Sequence, residues 1–252
     1  MKLLRRIAAI VAYLSAVAAL WEAGVVAGRV PEYIVPRLSA VLESFADLPG
    51  YYLDNLLVTA AEATAGLCIG AAVGFGLGLI TRYAKLVGRL ISPLLVASQV
   101  FPKEALAPIF LILFGFGVES KIVISALICF FPVAVATHRG LSDTPDGFET
   151  YMRTLRANPR EVFWFAQLPF AIPQIFSALR VCATLSVVGS VVGEFVGSSA
   201  GLGYIIRSAS SELAMTRIYM ALLLLGVLGA ALYLTVAGLE HSIRWSRHTE
   251  ST

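Results

Sequence analysis

Apolar positions in this chain run in long blocks, with no recurrence at the two-residue or 3.6-residue period of a half-buried strand or helix. Blocks lie at about 7–28, 56–81, 122–138, 169–193 and 218–239. Each is near or above the roughly 18 uncharged residues that mark a bilayer-spanning helix. A sixth block, 90–116, is interrupted by Lys103-Glu104. Its halves are each too short to cross. If it did not cross, every later loop would change sides and the Arg-rich 139–168 segment would lie outside. The pattern therefore predicts one crossing there, bent where Pro102 and Pro108 remove backbone donors. A break in a helix at membrane depth is tolerated where it faces protein or a water-filled cavity. The expectation is an all-α integral membrane protein with six transmembrane helices, forming one domain over 1–252.

Orientation follows from Lys and Arg. With the N-terminus inside, the inner segments hold twelve of them: Lys2, Arg5, Arg6, Arg82, Lys85, Arg89, Arg139, Arg153, Arg156, Arg160, Arg244 and Arg247. The outer segments hold five, namely Arg29, Arg37, Lys121, Arg207 and Arg217. Both termini are predicted to be cytoplasmic (N-in, C-in).

Composition agrees: 58% of residues are apolar and 14% charged, against about 25% charged in soluble domains. Residues 1–21 have a signal-like pattern, but the apolar run continues to Gly28, about twice a signal core. It reads as an uncleaved first span. A net charge of +3 is too small to point to nucleic acid. Cys68, Cys129 and Cys182 lie in apolar stretches without metal-ligand spacing, and read as buried small hydrophobes. No metal site is expected.

Gly66, Gly70, Gly74 and Gly78 recur every four residues in the second span. They form a small-residue face that admits another helix closely, in this chain or another. In the 139–168 loop, Thr144-Pro145 reads as a helix start with Pro in the first turn. Asn158-Pro159-Arg160-Glu161 gives a second start, with Asn as cap and Glu three residues later. The loop is expected to be helix, tight turn, helix.

The stretch Met152 to Pro169, MRTLRANPREVFWFAQLP, resembles the EAA loop of binding-protein-dependent ABC importer permeases. Arg153, Thr154, Leu155, Ala157, Leu168 and Pro169 match that pattern; Thr150, Tyr151 and Met152 replace its Glu-Ala-Ala, and Arg156 replaces its Gly. The segments FPKEALAPIFLILFGFG (101–117) and VVGEFVGSSAGLGYII (191–206) are similar to permeases for nitrate, sulfonates, taurine and thiamine-precursor pyrimidines. The resemblance covers nearly the whole chain. It implies the type I ABC importer permease fold in a prokaryotic inner membrane. It also implies a coupling helix, with Arg153, Thr154, Leu155, Ala157, Asn158 and Pro159 at the contact with a cytoplasmic ABC ATPase dimer. A second permease copy, most simply a homodimer, and a periplasmic or lipid-anchored substrate-binding protein complete the implied assembly. Around Glu194, Gly201 and Gly203 the resemblance implies an outer gate.

The chain itself has no phosphate-binding GxxxxGK[ST]. No cofactor is expected on it, with ATP and Mg²⁺ residing on the ATPase; it is not expected to be an enzyme. Lys103 and Glu104 are the strongest candidates for the substrate pathway, since ionisable groups at depth are costly and often functional. Lys103 could attract an anionic solute, or the two could serve a gate or an interhelical ion pair. Glu62 and Arg180, each alone in its span, could pair. The match of Gly197–Gly201 to GxSxG lacks the strand-turn-helix context of a nucleophile elbow, and His138, His241 and His248 fall at the opposite side. An intramembrane hydrolase is therefore disfavoured, as is a secondary transporter, which inverted repeats would favour. The substrate class stays open among pyrimidine precursors, sulfonates and aromatic acids.

Overall fold

A computed structural model describes residues 2–98 and 100–249. Among these every regular element is helical. In chain order they are α1 (Lys2–Ala27), α2 (Leu38–Asp47), α3 (Pro49–Tyr83), α4 (Lys85–Ala97), α5 (Ala107–Phe114), α6 (Val118–Ser142), α7 (Asp146–Thr154), α8 (Pro159–Val162), α9 (Leu168–Gly197), α10 (Leu202–Ser211) and α11 (Met215–Thr249). Four stretches are long and apolar enough to cross a membrane: Pro49–Tyr83, Val118–Ser142, Pro159–Gly197 and Met215–Ser242. Ser15–Ala27 and Leu86–Leu95 are shorter apolar helical stretches. The block at 90–116 is divided: α4 ends at Ala97, a 3₁₀ turn spans Lys103–Leu106, and α5 ends at Phe114 with Gly115, φ +80°, as its C-cap. Pro102, extended at φ −72° and ψ 93°, cannot donate to a helical ladder, so the helix cannot run through it.

Helix α6 is the centre of the bundle, held between α3 and α9. The glycine row packs against it within the same chain. A Cβ on Gly66 would stand 2.3 Å from the Ser125 hydroxyl, and one on Gly70 would stand 2.4 Å from the Ala126 carbonyl oxygen. On Gly74 it would lie 2.5 Å from the Phe130 carbonyl oxygen, and on Gly78 2.5 Å from Thr137 Cβ. From α9, a Cβ on Gly189 would lie 2.7 Å from Ser125 Cα. Lipid tails offer no hydrophobic drive for helices to associate, so such close backbone approach supplies the van der Waals contact that does. Cys129 and Cys182 mark the same proximity, each thiol donating to the other's carbonyl at 3.4 Å. Both are buried. Cys68 is exposed, contrary to the expectation of three buried cysteines, because it lies off the glycine face of α3.

Two further features shape the ends. Trp21 Nε1 donates to the Pro36 carbonyl at 3.1 Å, and Ser39 donates to Glu22 from both its amide and its hydroxyl, tying α1 to α2. At the same end, Val41, Tyr52, Leu202, Ile205 and Ala221 form an apolar core between α2, α3, α10 and α11. Entry into α9 passes through a π-helical turn, Phe163–Gln167. Pro169 cannot donate to Phe165 and its ring crowds that carbonyl, so the ladder widens just before it.

Candidate functional site

At one end of the bundle the 143–162 segment folds as two capped helices. Helix α7 ends in a Schellman turn: Arg156 N–H donates to the Arg153 carbonyl at 3.0 Å, and Ala157 N–H to the Met152 carbonyl at 3.1 Å. This places Arg156 in the left-handed region, φ +58°, where Gly is preferred. Arg156, where the loop pattern has Gly, therefore sits in a backbone conformation that strains an L-residue. A capping box opens α8. The Asn158 side chain accepts from Glu161 N–H at 3.0 Å, and Glu161 accepts from Asn158 N–H at 2.7 Å. Tyr151 and Leu155 stand exposed beside Arg153, Thr154, Asn158 and Pro159, while Ala157 is half-buried.

Beside this hairpin the end of α3 is tied to the end of α6 and to the π-helical turn that follows α8. Arg82 Nε donates to the Leu141 carbonyl at 3.2 Å, and the Tyr83 hydroxyl donates to Gln167 Oε1. The Tyr83 and Phe163 rings meet edge to face at 6.3 Å. A cleft of about 420 Å³ lies between them, lined by Arg82, Tyr83, Arg153, Ala157 and Pro159 among others.

The opposite end, roughly 30 Å along α3 at 1.5 Å per residue, holds a buried polar cluster. Glu194 is fully buried. Its Oε1 accepts from the Thr59 hydroxyl at 2.7 Å and its Oε2 from Gly203 N–H at 2.6 Å. Thr59 Oγ1 accepts from Leu202 N–H at 2.8 Å, and Asn55 Oδ1 from Gly201 N–H at 2.6 Å. The consecutive amides of residues 201–203, which open α10 and would otherwise be orphaned, are thereby each satisfied by a side chain from α3 or α9. A carboxylate at a helix N-terminus is also favoured by the helix dipole. Both glycines are required by this packing. Gly201 has φ +103°, and a Cβ on it would stand 2.3 Å from the Glu194 carboxylate; one on Gly203 would stand 2.8 Å away.

Next to this network Glu62 and Lys121 are both buried, 3.8 Å apart. Among the described residues neither carboxylate oxygen of Glu62 has a hydrogen-bond partner, and Lys121 is the cation beside it. Lys121 Nζ also donates to the Phe116 carbonyl at 3.4 Å. The expected pair of Glu62 with Arg180 does not form. Arg180 pairs with Glu240 of α11 at 3.4 Å. Arg180 lies fourteen residues before Glu194 on α9, about 21 Å at helical rise, and so at a different depth from Glu62.

Lys103 and Glu104 lie apart from both ends. The Lys103 ammonium sits 5.3 Å above the Phe131 ring; Glu104 is exposed. Phe131 is ten residues along α6 from Lys121, about 15 Å, so Lys103-Glu104 and the Glu194–Gly203 group are separate. Asn55, Thr59 and Lys121 were not singled out by sequence reasoning. For the first two the signal was there: Asn55, Thr59 and Glu62 at i, i+4 and i+7 continue the face that carries Gly66 and Gly70.

Comparison with known proteins agrees with this architecture. The family described as "Binding-protein-dependent transport system inner membrane component" matches residues 66–245. A probable ABC transporter permease protein of Haemophilus influenzae is 34% identical over 227 residues, covering 90% of this chain and 93% of the relative. A formylaminopyrimidine transport permease protein of Halalkalibacterium halodurans is 32% identical, covering 83% of this chain and 84% of that one. Among solved structures, an inward-facing MetNI methionine ABC transporter chain superposes with a TM-score of 0.67 at 20% identity, over 78% of this chain and 98% of that chain, a likeness of fold. The chain belongs to the binding-protein-dependent transport system inner membrane components, and is a permease subunit of an ABC importer.

Proposed function

We propose that this permease forms its substrate pathway as a homodimer and crosses the inner membrane six times with both termini inside. A separate ABC ATPase dimer, which holds the ATP and Mg²⁺, drives it through the 146–162 hairpin. A substrate-binding protein delivers solute at the opposite end. Alternating access would then be a switch between two packings of the bundle.

The observation that carries this reading is the hairpin itself. Its two helices are fixed by a Schellman turn and a complete capping box. Its exposed face nevertheless presents Tyr151 and Leu155, large apolar groups that a solvated connector has no reason to display. The π-turn that continues α8 is tied to α3 by Tyr83, and α3 to α6 by Arg82, which gives a push on the hairpin a route into the bundle.

For the solute, the reading favours a small heteroaromatic or aromatic anion. The Lys103–Phe131 arrangement supports it, since a cation held over an aromatic face offers both charge and stacking surface. The name of the formylaminopyrimidine relative supports the heteroaromatic part of this reading.

The test is co-purification from native membranes by a C-terminal tag. A stoichiometric ATPase is expected with the native chain. The double variant Arg153→Glu, Leu155→Pro should insert in the membrane but lose that ATPase. A normal yield of ATPase with the double variant would refute the coupling role of the hairpin.

A further inference from the structure

We infer that Asn55 and Thr59 are positioning residues: they hold the 201–203 turn, together with Glu194, in the shape that the outer end presents to the binding protein. The inference rests on the reading above for what meets that end, but its geometry stands apart from it.

Three features make the network more than ordinary packing. The turn is pinned amide by amide from α3 (Asn55, Thr59) and α9 (Glu194), helices distant in sequence. The Thr59 hydroxyl is a relay, accepting from Leu202 N–H while donating to Glu194, so its loss unseats two contacts at once. Finally, Gly201 and Gly203 give up side chains to let the Glu194 carboxylate lie against the backbone, so nothing else can fill the space if the carboxylate turns away. Beyond the turn, Arg207 continues the connection, donating to the Ser198 carbonyl at 2.6 Å. Displacement of α3 relative to α9 would therefore move the turn, and a partner seated on the turn would bear on both helices.

The test uses the full chain in its co-purified complex, reconstituted in lipid nanodiscs, with Cys68→Ser removing the exposed thiol. Ser198→Cys places a near-isosteric thiol at a buried position just before the turn, at the end of α9. Its labelling by a charged maleimide should be slow in the parent. It should rise about tenfold or more with Thr59→Val, which keeps the shape and removes the hydroxyl, tenfold being ~1.4 kcal/mol. Thr59→Ser should return it to within about twofold of the parent. Asn55→Ala provides a second variant should Thr59→Val fail to fold. ATP-driven uptake by cells should fall with Thr59→Val and recover with Thr59→Ser, at unchanged complex yield. Equal labelling in Thr59→Val and the parent, or uptake untouched despite faster labelling, would overturn the inference. A parent chain without any ATPase or ATP-driven uptake would instead sink the importer assembly proposed above, while labelling would still report on the turn.

Discussion

Lys121 and Glu62 face each other at 3.8 Å, 5% and 1% exposed, on adjacent helices of the bundle. Breaking a buried pair strands the remaining charge and costs about 3–5 kcal/mol, whereas replacing both partners with apolar or neutral groups is often near neutral. Lys121→Met alone should lower the thermal midpoint of the detergent-solubilised protein sharply. Adding Glu62→Gln should restore much of the loss, because the stranded carboxylate is then gone. Equal midpoints for the single and double variants would show that the pair is not the compensating interaction.

Glycine substitutions in α3 should divide by face. Gly70→Ala puts a methyl 2.4 Å from the Ala126 carbonyl oxygen, while Gly76 has nothing within 4 Å of its added Cβ. Backbone in two packed helices must shift to admit the first. The second should be neutral or stabilising by up to ~1 kcal/mol, as Ala replaces Gly within a helix. Thermal unfolding followed by size-exclusion chromatography checks the contrast. Similar losses for both variants would mean the glycine face is not the close contact.

Arg156 should gain from becoming glycine. At φ +58° an L-residue pays about 1–2 kcal/mol, partly offset by the extra unfolded-state freedom of Gly. Arg156→Gly should slow hydrogen exchange at the amides of Arg156 and Ala157, which close the Schellman turn. Arg156→Val, β-branched, should speed it.

Lys103→Ala should slow transport without loss of the complex. Its ammonium lies over Phe131 rather than in a buried ion pair, so its removal leaves no charge stranded. The measurement is uptake kinetics beside complex yield. Unchanged kinetics would take Lys103 out of the pathway.

Block lengths carried the membrane class and the approximate places of the long helices, and the Asn158–Glu161 spacing carried the start of α8; the helix after Thr144-Pro145 begins one residue later than read, at Asp146, with Pro145 as its N-cap. These are local properties: a span needs an apolar run, and a capping box needs Asn158 and Glu161 three residues apart. The four-residue glycine period likewise announced a close helix contact. Its partner, α6, became known only from the packed bundle. The choice of Lys121 for Glu62, and of Glu240 for Arg180, depended on matching depths in different helices, which no spacing along the chain encodes. The same holds for the partners of Glu194, a residue that the resemblance alone assigned to an outer gate. In the fold it is a fully buried acceptor for Thr59 and Gly203, because the amides that open α10 need partners and α3 and α9 are the helices that reach them. The lengths of the apolar runs decided which segments are membrane spans; long-range satisfaction of buried charge and backbone donors decided which segments meet, and only the folded chain brings those groups together.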